Sequence, residues 1–212
     1  MACTQPPPSS KSPQAPRVAG GAPPPTHSPA PQSVTSRLKQ DYTKTAIPLA
    51  ITLSPVAATE VAQLRQANAG QKGQALQIGF GRDIPAADRA NILPRLKWTH
   101  LPNGTLVSAC TVTSSQARSV RLALSTPILA EGVEVRFFRP HSPQQSFGPF
   151  TKALLLRQTA SDRRNGSGRP GAQKGFWSPV IEGDSIGIEI SLPSVEAVQT
   201  SSVRLLQVSH MN

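Results

Sequence analysis

From Ser185 the apolar residues Ile186, Ile188, Ile190 and Leu192 recur at every second position, and this period constrains the fold more than any other feature of the chain. A period of two belongs to a strand with one buried face. Just upstream, Phe176 and Trp177 form the largest apolar pair in the C-terminal half. Between them and the strand, Glu182-Gly183-Asp184 supplies a turn, because Gly reaches positive φ without steric cost and Asp bonds nearby backbone. Residues 176–193 are therefore a turn-plus-strand unit that needs partner strands.

The run Gly183-Asp184-Ser185-Ile186-Gly187 resembles the Gly-Asp-Ser-Gly-Gly around the nucleophile of trypsin-like proteases. A nucleophilic Ser needs a His base, a carboxylate to orient that His, and free N–H groups aimed at the oxyanion. Here Ile186 stands where that family has its second glycine, and Ser185 opens a packed strand. The four histidines are His27 in a Pro-rich stretch, His100 before Leu-Pro-Asn-Gly, His141 in a Pro-Gln loop, and His210 near the end. None has the Ala-Ala-His-Cys setting of such a base. The motif reads as a turn and strand, and no residue is assigned as catalytic.

At 212 residues the chain has room for one ordinary domain and a tail. Ten of its 22 prolines crowd the first 31 residues, and almost no large apolar side chain precedes Leu38. Residues 1–40 cannot bury enough surface to offset backbone entropy and read as a disordered Pro/Ser-rich tether. The net charge of +11 raises acidic partners, but the basic residues gather in two stretches. One holds Lys11, Arg17, Arg37 and Lys39; the other holds Arg157, Arg163, Arg164, Arg169 and Lys174. Both read as solvated loop or tail, and without interleaved aromatics they argue against nucleic acid. Two cysteines, Cys3 and Cys110, give neither a disulfide scaffold nor a metal framework, and no motif calls for a cofactor. Cys110 lies in an apolar run and reads as core. Cys3, ahead of a long Pro/Ser/Ala tether, resembles the start of a mature bacterial lipoprotein and is a lipidation candidate. The required apolar leader would have to lie ahead of Met1-Ala2. No run of 18 apolar residues spans a membrane.

Order is expected from about residue 41. Residues 46–53 alternate as an extended segment that Pro48 restricts to an edge or a strand start. Ser54-Pro55 predicts a helix over about residues 55–68, with Asn68 to Gly70 ending it. Leu76, Ile78 and Phe80 predict a strand, and Gly79-Phe80-Gly81 within it reads as a bulge or strand end, because no P-loop spacing follows. Asn103-Gly104 predicts a hairpin between Trp98 and the strand over residues 106–113. Further strands are expected at 120–127, 133–138, 150–156, 185–192 and 203–208, with a Gly/Arg-rich loop over 161–175. One early helix and eight or nine strands predict an antiparallel β-sandwich over residues 41–212, jelly-roll-like in size.

Several of these pieces carry a family likeness. Ile78-Gly79-Phe80-Gly81-Arg82-Asp83-Ile84-Pro85, the Trp98 to Asn103-Gly104 hairpin, Val120-Arg121-Leu122-Ala123-Leu124, Glu134-Val135-Arg136-Phe137-Phe138, Trp177-Ser178-Pro179-Val180-Ile181-Glu182-Gly183-Asp184 and Glu189-Ile190-Ser191-Leu192-Pro193 occur in order up to Val208-Ser209-His210. In that order they resemble the non-catalytic N-terminal region of secreted bacterial trypsin-like serine endopeptidases, the lysyl-endopeptidase-like group. In that family the peptidase domain with its His, Asp and Ser follows this region, and the chain stops after its last predicted strand. The resemblance therefore carries over no catalytic residue. It implies an exported setting, periplasmic, outer-envelope or extracellular, and a role in folding, latency or substrate presentation.

Two functions of different class follow. One is a pro-region-type module that contacts a serine peptidase domain in cis or in trans, with Phe176 and Trp177 as anchors and Glu182 and Asp184 on the adjoining turn. The other is an envelope lipoprotein module that binds a glycan or an anionic surface polymer through the loop beginning at Arg163 and Arg164. Steep salt dependence would mark the second.

Overall fold

The computed structural model describes residues 49–69, 77–164 and 175–212, with residues 143, 144 and 159–164 described by their backbone. The expectations for the tether, for Cys3, for residues 41–48 and for the Gly/Arg-rich loop beyond Arg164 fall outside that description.

Eleven strands and three helices make up the described chain. The strands are β1 (Leu49–Thr52), β2 (Gly79–Asp83), β3 (Thr99–His100), β4 (Leu106–Thr113), β5 (Ser119–Ile128), β6 (Glu134–Arg139), β7 (Ser142–Thr151), β8 (Phe176–Trp177), β9 (Ile181–Glu182), β10 (Ser185–Leu192) and β11 (Ser202–Met211). The helices are α1 (Ala58–Ala69), α2 (Lys152–Arg164) and α3 (Val195–Thr200). One sheet runs β1-β4-β10-β6-β7, with β3 also on β4; the other runs β2-β11-β5-β8, with β9 also on β5. All pairings are antiparallel except β1 with β4, which is parallel because β1 leads into α1 rather than into a hairpin.

The two sheets pack face to face as a sandwich, and strand alternation supplies the core. Leu106, Cys110 and Val112 of β4 and Ile186, Ile188, Ile190 and Leu192 of β10 meet Val120, Leu122 and Leu124 of β5 and Val203, Leu205 and Val208 of β11. A register shift between Leu205 and Gln207 moves the inward set from odd to even positions along β11, as an inserted residue must. Phe137, Phe150 and Phe176 form an aromatic cluster with centroids 5.0–5.9 Å apart. Burial pushes the Cys110 thiol up to about 12, so it behaves as an inert core residue.

The mainly β sandwich and the hairpin agree with the sequence. Gly104 sits at φ +80, and the Thr105 N–H donates to the Asn103 side chain at 3.1 Å. Several local expectations are corrected. The first helix begins at Ala58, not Pro55, because Glu60 reaches back to the Ala57 N–H at 3.2 Å and makes Ala57 the capping position. The strand expected over 150–156 stops at Thr151, where α2 begins and packs on β7 and β8, with Leu155 fully buried. Residues 161–164 belong to that helix rather than to a loop. A third helix, α3, fills the connection from β10 to β11. Gly79 opens β2, at a strand end as expected, while Gly81 lies inside the strand with no bulge against β11; a Cβ on Gly79 would overlap the His210 carbonyl at 2.2 Å. The Gly-x-Gly thus serves close approach of β11.

Candidate functional site

The segment from Phe176 to Ser185 lines one edge of β5 and then crosses to the other sheet. Phe176 pairs with Leu124 and Trp177 with Ala123, so alternation sends the two rings to opposite sides. Phe176 is 1% exposed inside the aromatic cluster, which removes it as a contact residue for a partner. Trp177 is half-buried, with the Arg121 guanidinium 5.6 Å from its ring centre. The same guanidinium donates from Nε to the Ser178 carbonyl at 2.9 Å. Ser178 is fully buried and continues the edge: its N–H donates to the Leu122 carbonyl, and its Oγ accepts the Leu122 N–H at 3.0 Å. This accounts for a serine between Trp177 and Pro179, since proline cannot donate to the next ladder position.

At the turn, Gly183 adopts φ +98 and donates to the Arg118 carbonyl at 2.7 Å. The Asp184 carbonyl accepts the Ser114 N–H at 2.8 Å. Exposed Glu182 lies 3.6 Å from Arg139, a pair that solvent leaves weak. Arg139 and Glu182 form the wall between two shallow clefts. One, of about 260 Å³, is lined by Gln116, His141, Asp184 and Ser185; the other, of about 350 Å³, by Gln145, Phe147 and Val180. The Ser185 hydroxyl donates to Asp184 Oδ1 at 2.8 Å and accepts from Thr113 Oγ1 at 2.9 Å. These bonds make it a strand-edge residue, and His141, on the cleft wall, shares no hydrogen bond with it among the described residues. Arg163 and Arg164 end α2 and stand apart from this turn in sequence and element; their side chains lie outside the described residues.

Two polar groupings were not anticipated. In the first, Arg82 Nη1 donates to Ser114 Oγ at 2.8 Å, Ser114 donates to His210 Nδ1 at 2.9 Å, and His210 Nε2–H donates to Asn212 Oδ1 at 3.1 Å. The connectivity mimics a Ser-His-Asn relay, but Ser114 has no exposed surface and its oxygen is taken by Arg82, so it is a buried structural chain. Phe80 stacks on the His210 ring at 5.0 Å. Burial holds His210 below the ordinary imidazole value, and nearby Arg82 adds to this, while Asn212 and Glu60 oppose it. In the second, Arg136 on β6 bonds Glu134 at 3.0 Å and lies 3.8 Å from Glu189 on β10, with Arg136 and Glu189 at 5% exposure or less. The signal for the second was present as charges interrupting apolar strands. For the first there was none, because Ser114 and His210 are 96 residues apart.

The family model of the lysyl endopeptidase N-terminal domain matches residues 52–212, from the end of β1 through the last strand. The chain belongs to that family. In this chain the domain is a two-sheet sandwich that carries the Trp-Ser-Pro-Val-Ile-Glu-Gly-Asp segment as the edge and crossover just described, and a non-catalytic module fits that placement. Neither a curated protein nor a solved structure shows significant similarity to the chain. No described helix is long and apolar enough to cross a membrane.

Proposed function

We propose that this domain acts on a lysyl endopeptidase by direct protein contact, aiding its folding, holding it latent or presenting substrate to it. The observation that carries the reading is the family match over residues 52–212, which takes in nearly the whole described sandwich. The contact surface is the edge carrying half-buried Trp177 and the turn of exposed Glu182 and partly buried Asp184, whose clefts offer Val180 and Phe147 beside Arg139. A half-buried aromatic and a guanidinium beside shallow apolar concavities are the usual makings of a contact anchor. The family's enzymes are secreted, which supports an exported protein.

The test separates the three roles. The peptidase domain of a lysyl endopeptidase is refolded with and without this chain in trans, and active enzyme is titrated. The folded peptidase is then assayed with the chain added, against a small lysyl ester and against a protein substrate. Greater recovery indicates folding assistance, inhibition of both substrates indicates latency, and a change with the protein substrate alone indicates presentation. No effect in any arm refutes the proposal. A fluorophosphonate probe should leave Ser185 unlabelled throughout.

A further inference from the structure

Lysine and arginine are not spread alike along the chain. The described residues of the sandwich hold twelve arginines but two lysines, Lys97 and Lys152. The other stretches of the sequence hold three arginines and five lysines, Lys11, Lys39, Lys44, Lys72 and Lys174. A general preference for arginine would have raised its share in both parts. Some of the bias has a local cause, because a guanidinium fork binds acceptors that an ammonium holds less well. Arg82, Arg89, Arg95, Arg121, Arg136 and Arg139 each engage a hydroxyl, a carbonyl or a carboxylate in this way. Arg65, Arg118, Arg157 and Arg204 do not: they are exposed, and their side chains make no hydrogen bond or ion pair among the described residues. At such positions lysine would serve equally in charge and in helix propensity.

The two lysines stand at bonds that the fold keeps closed. The Lys97 carbonyl accepts the hydroxyl of Ser108, itself 2% exposed, at 2.6 Å. On one side of it Leu96 is buried. On the other, Trp98 donates to the Leu93 carbonyl at 3.2 Å, and Thr99 and His100 pair with Val107 and Leu106 of β4. Lys152 follows Thr151, which ends β7 opposite Glu134, and opens α2, whose Leu155 is fully buried. A peptidase draws several residues on each side of the scissile bond into an extended chain, so both bonds are reached only after a strand leaves its sheet or α2 unwinds. Around Arg65 the chain opens at less cost, because α1 fully buries one side chain, Leu64.

We propose that the sandwich is built to lie beside a lysine-specific peptidase without becoming its substrate. Arginine carries the positive charge where the backbone opens easily, and the lysines kept in the sandwich sit where it does not. The inference rests on the reading of the domain as a partner of a lysyl endopeptidase, an enzyme that by its name cuts at lysyl residues. It deepens that reading: a domain that survives the active enzyme can stay with it, which favours substrate presentation over a folding aid removed by digestion.

The folded full chain is incubated with a lysyl endopeptidase or with an arginine-specific endopeptidase, and new chain ends are read by mass spectrometry. The arginine-specific enzyme should cut after Arg65. The lysyl enzyme should cut after Lys97 and Lys152 more slowly, by about a hundredfold or more, than in synthetic peptides spanning the same bonds, because cutting waits on opening. Arg65→Lys should acquire a cut by the lysyl enzyme at residue 65, faster than those at Lys97 and Lys152 by about tenfold or more. Cutting of the folded parent at Lys97 or Lys152 at the peptides' rate overturns the proposal. So does an Arg65→Lys chain as resistant as the parent, since arginine then confers nothing. The readout is chain ends alone, so this result stands or falls separately from the refolding and inhibition measurements that test contact with the peptidase.

Discussion

Substituting Gly187 by alanine probes how closely the six-stranded sheet is built. Gly187 lies opposite Phe138 across β10 and β6, and a Cβ there would fall 2.3 Å from Phe138 Cζ and 2.4 and 2.7 Å from its two Cε atoms. Ordinary contact needs more than 3.4 Å, so the ring must move by about 1 Å, yet Phe138 is only 2% exposed and has little room to turn. Overpacking of this kind costs about 1–3 kcal/mol, while replacing glycine in a strand interior returns about 0.5–1 kcal/mol of backbone entropy. The net expectation is a loss of about 1–2 kcal/mol, or about 2–8 °C in Tm for a domain of this size. The assay is urea denaturation followed by tryptophan fluorescence. Phe138→Leu removes the clashing ring atoms, so in that background Gly187→Ala should be neutral or slightly stabilising, giving a coupling of about 1–2 kcal/mol. A Gly187→Ala variant as stable as the parent, or the same penalty in both backgrounds, would refute the reasoning.

Phe176→Ala should cost about 3–5 kcal/mol, because it empties the centre of the Phe137–Phe150–Phe176 cluster; a loss below 1 kcal/mol in the same denaturation assay would mean the ring is not core. His210 has a folded pKa below its ordinary 6.5, so the folded state binds fewer protons than the unfolded one. Its contribution is therefore complete above about pH 6.5 and is lost as pH falls through the folded value. Denaturation midpoints taken from pH 7.5 down to 5 should fall less steeply in His210→Gln than in the parent, and equal slopes would reject the buried-neutral histidine. Gly104→Ala meets open space but must adopt φ +80, so its cost should be conformational alone, about 1 kcal/mol by thermal unfolding; Gly104→Asn should cost less.

What the sequence by itself determined is the part governed by period and by local turn chemistry. The alternating runs of β4, β6 and β10 needed no partner to be recognised, because a strand with one core-facing side writes its period into the chain. Asn103-Gly104 fixed its hairpin because few residues tolerate the left-handed turn. The order of the motifs also identified the family, since it reflects the whole succession of strands. Tertiary structure decided the rest. Leu154, Leu155 and Leu156 fit a buried strand as well as a helix, and only packing against β7 and β8 made Leu155 the buried one of the three. Phe176 and Trp177 look alike as a pair, yet docking on β5 sends one into the core and leaves the other half-buried at the edge. The burial of Ser178 is announced by no window of sequence, because its partner Leu122 comes from another strand, whereas Arg136 and Glu189 showed as charges within apolar strands and only the sheet order brought them together. The link between Ser114 and His210 forms only when β11 is laid between β2 and β5. Local pattern records what a residue prefers, but burial and hydrogen-bond partners depend on which distant strand becomes its neighbour.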